Sequence, residues 1–231
     1  MRVRVATALS LTAVTVLALP ACSTDSSEAK PAASSAARTG TPANGERQTA
    51  PLSSAALEPL LLDESDLGTG YTRTSEPSVQ HDDVTVLGCP ALAKLGGDAI
   101  TGGSLDFPRK EKASFTYTGD SDSAVSEELY SDTADKLSDG TGRIFAAMTV
   151  CPEYQILAGT TVIDVSTQRM SAPELGDERW SMLLTFSAGG RDSVVKQTAI
   201  RSGNVLLTVS GSPALVDRHL YKALAKATAS R

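Results

Sequence analysis

Residues 178–210 read ERWSMLLTFSAGGRDSVVKQTAIRSGNVLLTVS, and this stretch decides the fold class. Glu178 to Ala188, Ser193 to Arg201 and Val205 to Ser210 are runs rich in β-branched, aromatic and aliphatic residues, the composition of strands. Between them stand only Gly189-Gly190-Arg191-Asp192 and Ser202-Gly203-Asn204. Connections this short join antiparallel neighbours, so the three runs form a meander. Thr160 to Arg169 is a fourth run of the same kind just ahead of them.

Working outward, the segment from Pro213 to Ala229 places Val216, Leu220, Ala223 and Ala227 on one face of a helix. Pro213 at its start and Lys222, Lys226 and Arg231 towards its end match the helix polarity. Upstream, Lys112 to Tyr117 alternates as a strand, Gly119 to Ser123 supplies a turn, and Val125 to Tyr130 returns. Val125 and Leu129, four apart, would also suit a helix; the strand is preferred. Thr133 to Thr149 reads as a helix ending near Cys151, with Gly140 and Gly142 weakening its middle. Ser53-Ser54 caps a short helix interrupted by Pro59, and Asp66 to Tyr71 is a turn into an extended arm. Ala91 to Leu95 suggests a helical turn stopped by Gly96-Gly97. Residues 51–231 are therefore expected to form one α+β domain, an antiparallel β-sheet packed by helices.

The beginning of the chain carries an address. Arg2 and Arg4 precede an apolar run from Val5 to Leu19, the layout of a secretory signal. That run is too short to span a bilayer, which takes about 20 residues. Leu19-Pro20-Ala21-Cys22 is similar to the lipobox of bacterial lipoproteins, in which the cysteine thiol receives a diacylglycerol before cleavage. Residues 1–21 are thus expected to be a lipoprotein signal peptide and Cys22 the lipid-attachment residue. Acyl chains on Cys22 would hold the protein on the outer face of the cell membrane. Residues 22–50 hold Ser, Ala, Thr, Pro and Gly with few large apolar side chains, the composition of a flexible linker.

The remaining pair of cysteines, Cys89 and Cys151, would meet an oxidising compartment, so a disulfide is expected. A thiol metal site is the alternative, and two cysteines without neighbouring histidines make a poor one. The net charge is −6, and losing Arg2 and Arg4 makes the mature chain more acidic still. With no Lys/Arg cluster, that balance argues against nucleic acid as a partner.

No G-x-S-x-G, H-E-x-x-H or Gly-rich phosphate loop occurs, so no catalytic residue, metal ligand or cofactor is assigned. His81 and His219 lie beside charged residues and read as solvated surface positions; a hydrolase would need one of them buried against an acid. Asp120-Ser121-Asp122 opens like a calcium loop, but Val125 and Ser131 stand where the loop needs Gly and Glu. Glu127 and Glu128, adjacent on a strand, face opposite ways and cannot form a dyad. Trp180, the single tryptophan, reads as core; with Arg179 it is also the candidate ligand-binding pair, through stacking or a cation–π contact.

Several landmarks recur in order along residues 55 to 231: Leu60-Leu61-Leu62, Asp66-Leu67-Gly68-Thr69-Gly70-Tyr71, Cys89, Cys151-Pro152, Leu175-Gly176-Asp177-Glu178 and Arg201-Ser202-Gly203-Asn204-Val205. In this set the chain resembles the PknH-like sensor domains, extracytoplasmic domains of actinobacteria. The resemblance implies an antiparallel sheet with packed helices, a central cleft, and binding of an extracellular ligand without catalysis. The kinase-borne member looks like a two-disulfide scaffold, whereas one cysteine pair is available here. A small molecule, a lipid or an envelope protein could each be the partner, so a lipid or glycolipid carrier and a protein-interaction module stand beside the sensor reading.

Overall fold

The computed structural model describes residues 50–75, 84–96, 107–119 and 123–229. The signal peptide, Cys22, most of the linker, His81, Gly97 and Asp120-Ser121-Asp122 lie outside the described residues.

The meander is present and belongs to a larger sheet. Its strands are β1 (Tyr71–Thr74), β2 (Val84–Leu87), β3 (Lys110–Tyr117), β4 (Ser123–Ser131) and β5 (Glu153–Ala158). They continue with β6 (Thr161–Arg169), β7 (Glu178–Ala188), β8 (Arg191–Ser202) and β9 (Val205–Gly211). All nine pair antiparallel, in the order β1-β3-β4-β9-β8-β7-β6-β5-β2. Val125 to Tyr130 is strand, as preferred. Two strands fall outside the runs named from the sequence. These are β5, with Tyr154 and Ile156 inward, and β2, which pairs with it at the sheet's edge.

Helices cover both faces, and the alternation of β9 shows how. Val205, Leu207 and Val209 join the core beneath α5 (Pro213–Thr228), while Leu206 joins the core beneath α4 (Ala134–Val150). The first core also takes α1 (Ser54–Leu57), the 3-10 turn Glu58–Leu60 and α2 (Glu64–Leu67); the second takes α3 (Pro90–Ala93). The α5 stripe lies where its spacing put it, with Val216, Leu220, Ala223 and Ala227 at 2 % exposure or less. In α4, Thr133 caps the start by accepting from the Lys136 amide. Gly140 is needed there, because a Cβ would lie 2.6 Å from the Phe107 ring.

The Ala50 carbonyl accepts from Asn204 Nδ2 at 2.6 Å. The Leu52 amide donates to Ser131 Oγ at 2.8 Å, and that hydroxyl donates to the Asn204 carbonyl. Two of the sequence landmarks meet in space: Arg201 holds Asp177 at 3.0 Å and Glu178 at 2.9 Å, and Asp177 also accepts from the Gly203 amide. Gly176, at φ 64°, makes this approach possible, since a Cβ there would come within 2.4 Å of the Arg201 carbonyl oxygen. These landmark residues lock the β8–β9 turn against the start of β7.

Cys89 and Cys151 form the expected disulfide across a separation of 62 residues. It joins the N-cap of α3 to the C-cap of α4. Cys151→Ser is expected to cost roughly 4 kcal/mol in the chain-entropy account. Urea unfolding checks the loss, and a thiol assay on denatured, unreduced protein should find neither Cys89 nor Cys151 free.

Candidate functional site

A cleft of about 890 Å³ opens between α4 and the β6–β7 end of the sheet. Helix α4 lines it with Gly142, Phe145, Ala146, Thr149 and Val150, a stripe at helical spacing. The opposite wall is Arg169, Met170, Ser171 and Ala172 at the end of β6, with residues 179–182 of β7 below. The Met170 amide donates to the Ser181 carbonyl at 3.0 Å, which carries the β6–β7 ladder one step into this wall.

Both candidate ligand contacts, Arg179 and Trp180, border this cleft. They do so differently, because successive β7 residues alternate between faces. Trp180 shares its face with Met182 and Leu184, packs against the α4-side core, and stacks on Phe145 with ring centroids 6.1 Å apart and planes at 24°. Arg179 shares its face with Ser181 and pairs with Glu174 at 3.0 Å. Nothing in the sequence singles out Arg169. It sits opposite Met182 in the β6–β7 register, hence on the Trp180 face, and borders the cleft. Its neighbour on that face, Thr167, donates to the Met148 carbonyl at 2.9 Å and so ties the strand to α4.

His219 is not the solvated surface residue expected from its charged neighbours. It is 5 % exposed, 2.6 Å from the Tyr71 hydroxyl, with its ring edge-on to Tyr71. The reason is helical spacing: position 219 lies three after Val216 and four before Ala223, on the buried stripe. Burial, then the charges of Arg218 and Lys222, hold its pKa below the usual histidine value. Its partner is a phenol and not an acid, so the hydrolase arrangement is absent at this histidine.

Glu127 and Glu128 do face opposite ways. Glu128 meets Lys112 at 3.0 Å and accepts from the Tyr130 hydroxyl. Glu127 points into the α5-side core at 1 % exposure, where one carboxyl oxygen accepts from the Leu62 amide at 2.6 Å. Burial pushes its pKa up to about 7, opposed by the Leu62 amide and by Lys226. Lys226 in turn bridges Asp63 and Asp66. Hydrogen bonds from Ser65, the Asp66 amide and Lys226 hold the Asp63 carboxyl below the usual range, and against its burial those from Lys226 and the Asp63 amide do the same at Asp66. On the other face, burial pushes the Tyr154 hydroxyl up to about 12. That hydroxyl has no hydrogen-bond partner among the described residues. No group of three or more His, Cys, Asp or Glu is placed to hold a metal ion among the described residues.

No protein-family model matches the sequence, and no curated protein matches it either. Among solved structures, the chain is similar in fold to the extracellular domain of PknH from Mycobacterium tuberculosis, with a TM-score of 0.55 and 15 % identity. The match covers 78 % of this chain and 98 % of that one.

The buried Glu127 has a pH signature. Its carboxyl is favoured as the acid in the fold, so its contribution to stability is complete at low pH and is lost as pH rises towards about 7. His219, with a lowered pKa, acts in the opposite sense, gaining stability as pH rises through the ordinary histidine range. The difference between parent and variant separates the two. Relative to the parent, Glu127→Gln should become more stable by roughly 2–3 kcal/mol between acid and mildly alkaline pH in urea unfolding. A difference that stays constant with pH would remove this assignment.

Proposed function

We propose that this chain is an extracytoplasmic lipoprotein whose folded domain is a non-catalytic, sensor-like ligand-binding module. The lipid would sit on Cys22, and the ligand in the cleft beside Trp180. The observation that carries the reading is the cleft itself: a stacked Phe145–Trp180 pair forms its apolar floor, and no histidine, cysteine, aspartate or glutamate stands among its lining residues to activate a hydroxyl there. A fold shared with the extracellular part of PknH supports the same reading, as does a disulfide suited to an oxidising compartment. Among the described residues no helix is long and apolar enough to cross a membrane. The apolar floor also favours a second reading, a carrier that ferries a lipid or glycolipid between envelope layers. Sensor and carrier use the same cleft and differ in what becomes of the occupant.

The proposal makes two measurable claims. Cells fed a labelled fatty acid should label this chain and keep it in the membrane fraction, and Cys22→Ala should lose both the label and the membrane association. A labelled Cys22→Ala chain would overturn the anchor. Native mass spectrometry of the protein recovered from its envelope should show a discrete added mass that falls away in Trp180→Ala. An added mass retained in that variant would move the ligand to another site.

A further inference from the structure

We propose that the cleft selects an anionic amphiphile, a ligand with a carboxylate or phosphate head and an apolar body. The inference rests on the ligand-binding reading above and adds the chemistry of what is bound. Three observations point to it.

The first is charge. The chain has 27 acidic against 21 basic residues, yet the lining of this cleft holds Arg169 and Arg179 and no aspartate or glutamate. Arg179 lies on the other face of β7 and is paired with Glu174, so Arg169 is the charge on the Trp180 face, and on an acidic protein it gives the cleft a local field that favours anions over cations.

The second is the state of the two guanidinium groups. Arg169 makes no hydrogen bond or ion pair among the described residues, and it stands on the same face of the sheet as Trp180 and Met182. Arg179 is engaged by Glu174, whose side chain is 90 % exposed, so that pair is water-screened and weak. An arginine fork meets a carboxylate or phosphate with two parallel hydrogen bonds, a geometry that no neutral head can return in kind.

The third is the apolar surface beside the charge. Val150 and Met170, on opposite walls, are 73 % and 37 % exposed, and the stacked Phe145–Trp180 pair lies between helix and sheet. Apolar side chains left open on two facing walls are covered when an apolar body enters, at about 25 cal/mol for each Å² removed from water. The volume of about 890 Å³ lies within the usual range of small-molecule sites, about 300–1,000 Å³. Arg169 then holds the head at the mouth while the body lies along Trp180.

Trp180 is the only tryptophan in the chain, so its emission reports directly on the site. The experiment titrates the full chain, held in phosphatidylcholine vesicles, with decanoate, decyl phosphate, decanol and decyltrimethylammonium. The same vesicles without protein serve as the blank. Decanoate, decyl phosphate or both should shift Trp180 emission saturably, with decanol and the cation at least tenfold weaker; which anion binds tighter tells a carboxylate head from a phosphate one. Arg169→Gln should bring the anions down to the level of decanol while leaving decanol itself unchanged. Decanol binding as tightly as both anions would overturn the anion proposal while leaving a ligand-binding cleft in place. Unchanged anion affinity in Arg169→Gln would overturn it too. No saturable response to any of the four probes, from protein whose circular dichroism is that of the folded chain, would sink both the anion proposal and the cleft as the ligand site.

Discussion

Strand β9 is buried along both faces, and the rest of the structure takes its place from it. Five consecutive residues, Val205 to Val209, are buried. A strand in that position must be covered twice, once by each set of alternating side chains. The chain meets that demand with two long helices on opposite faces, α5 over Val205, Leu207 and Val209, and α4 over the face that holds Leu206. The strands on either side inherit the division: Leu129 and Ile200 go with α5, Tyr130 and Ala199 with α4. The same alternation places Glu127 inside one core and Glu128 against Tyr130 and Lys112 on the other face. A carboxyl buried as Glu127 is can persist because the Leu62 amide meets one oxygen and its raised pKa allows it to shed its charge.

Much of this could be read from the sequence because the meander carries its own logic. Long β-rich runs separated by three or four residues leave one pairing, and the helix after Pro213 shows its buried stripe in plain spacing. The parts that escaped reading share a physical reason. Strand β2 is four residues long and sits at the sheet's edge, where local pattern is faint and pairing with distant β5 supplies the order. His219 has charged neighbours in sequence, whereas a helix sorts residues by turns, and Val216 and Ala223 are its neighbours on the buried stripe. The landmarks Leu175 to Glu178 and Arg201 to Val205 form a clamp between turns and do not reach the cleft floor.

The cleft was the least legible feature. Its floor draws on Phe145 and Trp180, which are 35 positions apart and become neighbours only through the packing of α4 on the sheet. Arg169 shows the limit most plainly. A lone arginine at the end of a strand is an ordinary surface residue until the register sets it opposite Met182, beside the tryptophan. No spacing rule along the chain carries that information, because it arises from pairing between strands.

What keeps such a cleft open lies outside it. The beginning of α4 is held by the Thr133 cap and by Ser138, whose hydroxyl donates to Glu178 at 2.7 Å. Its end is held by the Cys89–Cys151 disulfide and by the Thr167 hydroxyl at the Met148 carbonyl. Helix and strand are therefore fixed at both ends by bonds that no occupant contributes to, and the stacked rings between them stop the walls from closing. For the ligand proposed above, walls held in this way would already be ordered, so little interaction energy would go into arranging them. The exposed Val150 and Met170 are the cost of that arrangement, and their exposure is tolerable to the fold because the two cores on either face of β9 are complete without them.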